Sequence, residues 1–164
     1  MLEPVLPLFH LNCHLLRTVV GQIDPADADV DPTGHLKTPR WQVGHMLMGT
    51  LYAASIVDAS VPGPPLEAIL KDFGPGSDPH AVSGEAPSMG TMLDAITELE
   101  QPLAKAVRVA DASALQDPHD FEPLQDSPVR TRADMLANLL SNHFMLHLGE
   151  LAMWRRARGI PPLF

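Results

Sequence analysis

The chain has few cysteines, few cationic side chains and no long hydrophobic run. Its 164 residues include a single cysteine, Cys13, which excludes an internal disulfide framework and suits a reducing compartment. No stretch approaches the roughly 20 consecutive apolar residues of a membrane-spanning helix. The N-terminal segment lacks a basic start and carries Glu3 and His10 among its apolar residues, so it makes a poor signal peptide. We therefore expect a cytoplasmic protein with no membrane partner.

Positive charge is also scarce. The chain has 11 Lys and Arg residues against 20 Asp and Glu residues, which gives a formal net charge of −9. A protein of this charge repels phosphate backbones, and no basic stripe offsets the repulsion. We therefore expect no nucleic-acid partner. The sequence also lacks a Ser-His-Asp arrangement, a phosphate-binding loop and a dinucleotide-binding fingerprint, so it gives no support to those chemistries.

Strand signals are nearly absent, because no clean apolar/polar alternation is bounded by hairpin turns. Helical periodicity recurs instead, and the hydrophobic content of 45% is enough for a core. The long helical segments are expected at about 5–23, 38–61, 88–109 and 131–158, with a short extra helix at 66–73. The pattern predicts an all-α fold, a four-helix bundle with loop elaborations, which spans residues 1–164 as one domain.

Capping residues fix where several of these helices begin. Thr38 followed by Pro39 predicts an N-cap and a first helical residue for the second segment. The third segment opens either at Ser88 or at a capping box, Thr91-x-x-Asp94. The fourth segment has the same signature in Thr131 and Asp134 and is expected to be one helix. Pro102 falls inside the third segment, where it removes one backbone hydrogen bond.

Two histidines lie four residues apart in the fourth segment. Side chains at this spacing share a helix face about 5–6 Å apart, so His143 and His147 fit a shared metal ion. Two buried histidines that bond to neighbouring groups fit the spacing equally well. His45, in the second segment between Gly44 and Gly49, would complete a three-histidine set with an open coordination position, as catalytic metal sites have.

The order of these residues resembles the DinB superfamily over essentially the whole chain. The matching features are Asn12 in the first helix, Trp41-x-x-x-His45 in the second, and His143-x-x-x-His147-x-Gly149 followed by arginines and "GIPPLF". The resemblance implies an up-down-down-up four-helix bundle that binds a divalent metal through His45, His143 and His147. One residue departs from the family pattern, because Glu150 stands where members often have Gln. We interpret Glu150 as a solvated helix residue rather than a partner of the ligands.

The resemblance also implies a chemistry. Related proteins include metal-dependent transferases and isomerases that use low-molecular-weight thiols such as bacillithiol or mycothiol. We therefore expect a small-thiol-dependent S-transferase or isomerase that acts on a small-molecule substrate, with zinc or nickel as the metal. A metal-dependent hydrolase and a non-catalytic metal-binding or ligand-binding bundle remain alternatives. Trp41, Tyr52 and Trp154 are expected to line an apolar substrate pocket, although each also fits ordinary core packing.

The first helix carries apolar residues outside its core stripe, Leu11 and Leu15 among them. Together with the family resemblance, they predict a homodimer. His10 and His14 diverge from the core face, so we expect them at the surface or an interface. Histidines in or near segments rich in Pro, Gly and Asp are expected to be solvated; these are His10, His35, His80 and His119.

Overall fold

The computed structural model describes residues 2–162 of the chain, and within them the regular structure is helical apart from one isolated bridge between Pro118 and Thr131. The prediction of an all-α protein is confirmed. The α-helices are α1 (Val5–Val20), α2 (Pro39–Ile56), α3 (Leu66–Phe73), α4 (Met89–Val109), α5 (Arg132–Ala137) and α6 (Phe144–Ala157). Short 3₁₀ turns occur at Pro25–Asp27, Ala114–Gln116 and Glu122–Leu124.

The first two helices end earlier than the sequence predicts. Helix α1 stops at Val20, and Ile23 is buried in the turn that follows it. Helix α2 begins at Pro39 with the Thr38 side chain as its cap, as predicted. It ends at Ile56 because Asp58 adopts a left-handed conformation with φ of 49°, and this closes the helix well before the prolines that were expected to stop it.

Helix α4 begins after Ser88, whose hydroxyl accepts a hydrogen bond from the backbone N–H of Thr91. Of the two predicted starts, Ser88 is therefore the cap. The helix continues through Pro102 to Val109. The short helix predicted at 66–73 is also present, as α3.

The fourth predicted helix is interrupted. Its capping box is present, with the Thr131 and Asp134 side chains each bonded to the backbone of the other residue. Between α5 and α6, however, the chain forms one π-helical segment, Asn138–His143, called the π turn below. A π-helix bonds residue i to i+5 and takes about one residue more per turn than an α-helix. The prediction of one uninterrupted helix is therefore wrong.

Helix α2 lies at the centre of the fold, because it packs against α3, α4, α6 and the π turn. Helix α1 packs against α4, α6 and the π turn. Buried apolar side chains from all of these helices form one contiguous core. Among the residues that the structure describes, no helix is long and apolar enough to cross a bilayer.

Two of the histidines expected to be solvated are buried or partly buried. His119 is buried, and its Nε2 donates a hydrogen bond to the carbonyl of Val129 at 3.0 Å, because the loop that carries it folds back on itself. His10 is half-buried, with its Nδ1 2.7 Å from a carboxylate oxygen of Glu100. For these two residues the prediction is wrong, whereas His14, His35 and His80 are exposed.

Candidate metal centre

Three histidines from three segments converge in the core. His45 comes from α2, His143 is the last residue of the π turn, and His147 lies in the first turns of α6. The ring centroids of the three pairs are 4.7 to 5.0 Å apart, and one nitrogen of each ring lies within 4.8 Å of the others. Nitrogens that share a tetrahedral ion at 2.0–2.1 Å are about 3.3 Å apart, so small side-chain rotations suffice for one ion.

The ring of His45 is oriented by helix α3. Its Nδ1 donates a hydrogen bond to the carbonyl of Phe73 at 2.6 Å, so its Nε2 keeps the lone pair that a metal requires. This contact depends on Gly44, because a Cβ at that position would lie 2.2 to 2.6 Å from atoms of the Phe73 ring. The absence of a side chain at Gly44 thus lets α3 approach α2 closely enough to orient the histidine.

His147 is oriented by Glu150, three residues later on α6. The Nδ1 of His147 donates to one carboxylate oxygen of Glu150 at 2.8 Å, and the ammonium of Lys37 donates to the other at 2.8 Å. The interpretation of Glu150 as a solvated residue is therefore wrong. A carboxylate that fixes the ring of a histidine ligand is a recurring feature of metal sites, where it also raises the basicity of the ligand.

His143 contacts the backbone of α2 at Gly49. A Cβ at Gly49 would lie 3.1 and 3.2 Å from two atoms of the His143 ring, so the glycine makes room for the imidazole. The Nδ1 of His143 is buried and has no hydrogen-bond partner among the described residues. A buried unpaired nitrogen is costly, and metal coordination through Nδ1 would offset that cost.

The electrostatics of the cluster keep two rings neutral. Burial lowers the pKa of His45 to about 4 and, together with the neighbouring histidines, lowers the pKa of His143 to about 3. Burial alone would raise the pKa of Glu150, but the hydrogen bonds from His147 and Lys37 outweigh it and bring that pKa to about 2. At neutral pH, the site therefore offers unprotonated imidazoles, which are the form that binds metals, beside an ionised carboxylate.

Trp41 forms one wall of the cluster. Its ring is stacked on His45 at 4.7 Å with an interplanar angle of 11°, and its Nε1 donates a hydrogen bond to the Ser77 hydroxyl at 2.8 Å. The Lys37 ammonium lies 5.2 Å from the centroid of the same ring. Trp41 therefore shields the histidines and fixes the orientation of His45.

A small cavity of about 80 Å³ lies against His45 and His143. Apart from these two histidines, its walls are mainly apolar, and none of the lining side chains carries a full charge: Met48, Tyr52, Pro75, Phe121, Leu124, Met135, Asn138 and Leu139. Of the aromatic residues expected to line a pocket, Tyr52 is in this wall and Trp41 is not. The Tyr52 hydroxyl donates to a carboxylate oxygen of Asp120 at 2.5 Å.

Trp154 does not belong to this cavity. It is fully buried, and its Nε1 donates a hydrogen bond to the carbonyl of Val30 at 2.7 Å. Its role is to pack the core against the segment that follows α1. The loop residues Phe121 and Leu124 and the π-turn residue Asn138 line the cavity instead, and no periodicity in the sequence indicated them.

Larger cavities occur elsewhere on the molecule. One of about 330 Å³ lies between α1 and α6, and another of about 660 Å³ lies beside the turn after α1. Within the described residues, only His45, His143 and His147 form a group of three or more potential metal ligands. The nearby histidines, rather than its size, therefore make the small cavity the candidate site.

No protein-family profile, curated protein or solved structure matches the chain in comparisons of all three kinds. The histidine cluster and the cavity beside it are accordingly the basis for a function.

Proposed function

We propose that the chain is a DinB-type metalloprotein that binds zinc or nickel through His45, His143 and His147. The observation that carries the proposal is the convergence of three histidines on one point in the core. Hydrogen bonds from Nδ1 orient His45 and His147, and the Nε2 atom of each ring has no such partner among the described residues. Imidazole ligands suit both metals. The up-down-down-up order of the four long segments is part of the same proposal.

The catalytic part of the proposal is a small-thiol-dependent transfer or isomerisation. A divalent ion on three histidines would lower the pKa of a thiol bound at its open position. The residues of this chain contribute orientation and exclusion of water. Glu150 and the Phe73 carbonyl fix two ligands, and the apolar cavity beside His45 and His143 fits a small uncharged electrophile.

A homodimer also belongs to the proposal. Large apolar side chains are exposed on α1 and α6, and Leu11, named from the sequence, is 50% exposed. The others on these helices are Leu8, Met145, Leu146 and Met153. Burial of these side chains between two copies of the chain would stabilise a homodimer. Analytical sedimentation at micromolar protein concentration tests the homodimer. We expect the mass of two chains, and the mass of one chain would contradict the dimer.

Metal analysis of protein purified without a histidine tag tests the site itself. We expect about one ion per chain in the parent and almost none in a His143→Ala/His147→Ala double variant. His35→Ala is a matched control, because His35 is an exposed loop histidine. Equal metal content in the double variant and the parent would refute the site.

Activity is tested with the zinc-loaded and nickel-loaded protein, an aryl halide as electrophile, and bacillithiol, mycothiol or glutathione. We expect thiol conjugation above the metal-free rate, and its loss in His45→Ala. Hydrolysis of an ester or amide without thiol would favour the hydrolase instead. Tight metal binding with no turnover in either assay would leave a binding protein.

A further inference from the structure

Asn12 links helix α1 to the π turn. It is buried, with 2% of its surface exposed. Its side-chain amide donates hydrogen bonds to the carbonyls of Leu140 and Ser141, at 3.1 and 3.2 Å. These residues are about 128 positions away in sequence. The two carbonyls belong to the π turn, immediately before His143.

The π turn needs such a partner. At the junction of a π-helix with an α-helix, the backbone bonding changes from i→i+5 to i→i+4, and a carbonyl is left without its regular partner. The Ser141 hydroxyl bonds back to the carbonyl of Ala137 at the start of the segment. Asn12 supplies donors at the end of the segment, from a different helix.

The conformation of the π turn determines where His143 points. An α-helix turns by about 100° per residue. If the segment became α-helical, the residue that the π turn accommodates would be added to the regular helix. His143 and the helix after it would then rotate relative to α5 by roughly 100°. The ring would then leave its place against Gly49 and beside His45 on α2.

We propose that Asn12 is a positioning residue of the metal centre: its hydrogen bonds to Leu140 and Ser141 hold the π turn that aims His143 at the ion. The inference rests on the proposed metal site. Asn12 lies outside the ligand set and acts through the backbone of the fourth helical segment. It therefore controls the metal affinity and the coordination geometry of the site, in addition to the stability of the fold.

The test uses cobalt(II) as a metal probe, because its visible absorption reports coordination geometry. Asn12→Leu removes both donors at similar size, and Asn12→Asp replaces the amide with a carboxylate that repels the two carbonyls. Leu16→Val is the control, since Leu16 is fully buried on the same helix and its apolar side chain has no hydrogen-bonding group. Affinity is measured by competition with a chromophoric chelator, and unfolding by thermal melting.

We expect both Asn12 variants to bind cobalt at least tenfold more weakly than the parent, with an altered spectrum, and Leu16→Val to keep the parental affinity and spectrum. Should Asn12→Leu fail to fold, Asn12→Asp decides. Parental affinity and spectrum in the folded Asn12 variants would overturn the inference while the metal site stands, as would an equal loss in Leu16→Val. Absence of cobalt binding in the parent would instead refute the proposed site, and the inference with it.

Discussion

Replacing Glu150 separates the negative charge of its carboxylate from its hydrogen bond to His147. In Glu150→Gln, the amide oxygen still accepts from Nδ1 of His147, whereas the charge that faces Lys37 is lost. In Glu150→Ala both are lost, and the imidazole is free to rotate. The carboxylate contacts both His147 and Lys37 at 2.8 Å. Comparing the two variants therefore separates the contribution of its charge from that of its hydrogen bond to His147.

The structure indicates which part is larger. The side chains of Lys37 and Glu150 are 36% and 28% exposed, and solvent-screened pairs of this kind contribute only about 0.2–1 kcal/mol. Loss of the residue that orients a metal ligand costs about 10-fold to 100-fold in affinity. We therefore expect zinc affinity to fall less than about 5-fold in Glu150→Gln, since a tenfold change corresponds to about 1.4 kcal/mol. The full 10-fold to 100-fold loss is expected in Glu150→Ala.

The assay is zinc competition with a chromophoric chelator at pH 7.5. Glu98→Gln is the control, because Glu98 is exposed on α4 and its substitution removes the same charge from the chain. Parental affinity in Glu150→Ala would show that the carboxylate does not orient a ligand. If Glu150→Gln lost as much as Glu150→Ala, charge rather than hydrogen bonding would be the dominant contribution.

Four further predictions concern the cluster and its surroundings. Gly44→Ala places a Cβ 2.2 Å from the Phe73 ring, so we expect thermal melting to show a loss of about 1–3 kcal/mol and metal analysis to show weaker binding. Gly149→Ala, where a Cβ meets nothing within 4 Å, should instead stabilise α6 by up to about 1 kcal/mol. Met48→Trp fills the cavity and should lower any transfer activity at least tenfold with metal content unchanged, and equal activity would exclude the cavity as the substrate site. For metal-free protein, the pKa of His45 is about 4 in the fold and about 6.5 when unfolded, so the unfolded chain binds more protons between these values. The contribution of His45 to the free energy of unfolding is therefore complete above pH 6.5. It is lost as the pH falls toward 4, by up to about 1.4 kcal/mol per pH unit. Urea titrations at several pH values should show this slope, and the slope should be smaller in His45→Gln.

Features with a local signal were predictable from the sequence. The cap of α2 at Thr38 and the capping box at Thr131 follow from the chemistry of a few neighbouring residues. His143 and His147 are four apart on one helical segment, so their proximity follows from helix geometry. His147 and Glu150 carry the same kind of signal, because residues three apart also share a helix face. The misinterpretation of Glu150 was thus avoidable.

Features set by tertiary contacts left no such signal. His119 is buried with its ring hydrogen-bonded to the carbonyl of Val129, ten residues away in a loop. Trp154 is buried with its indole N–H bonded to the carbonyl of Val30. The π turn depends on Asn12, which lies at the other end of the chain. Hydrophobic periodicity at 131–158 is compatible with a continuous helix, whereas the hydrogen-bond donors that α1 supplies favour the π turn. The direction of His143, and with it the geometry of the proposed metal centre, is therefore determined by a contact between helices rather than by the segment that carries the ligand.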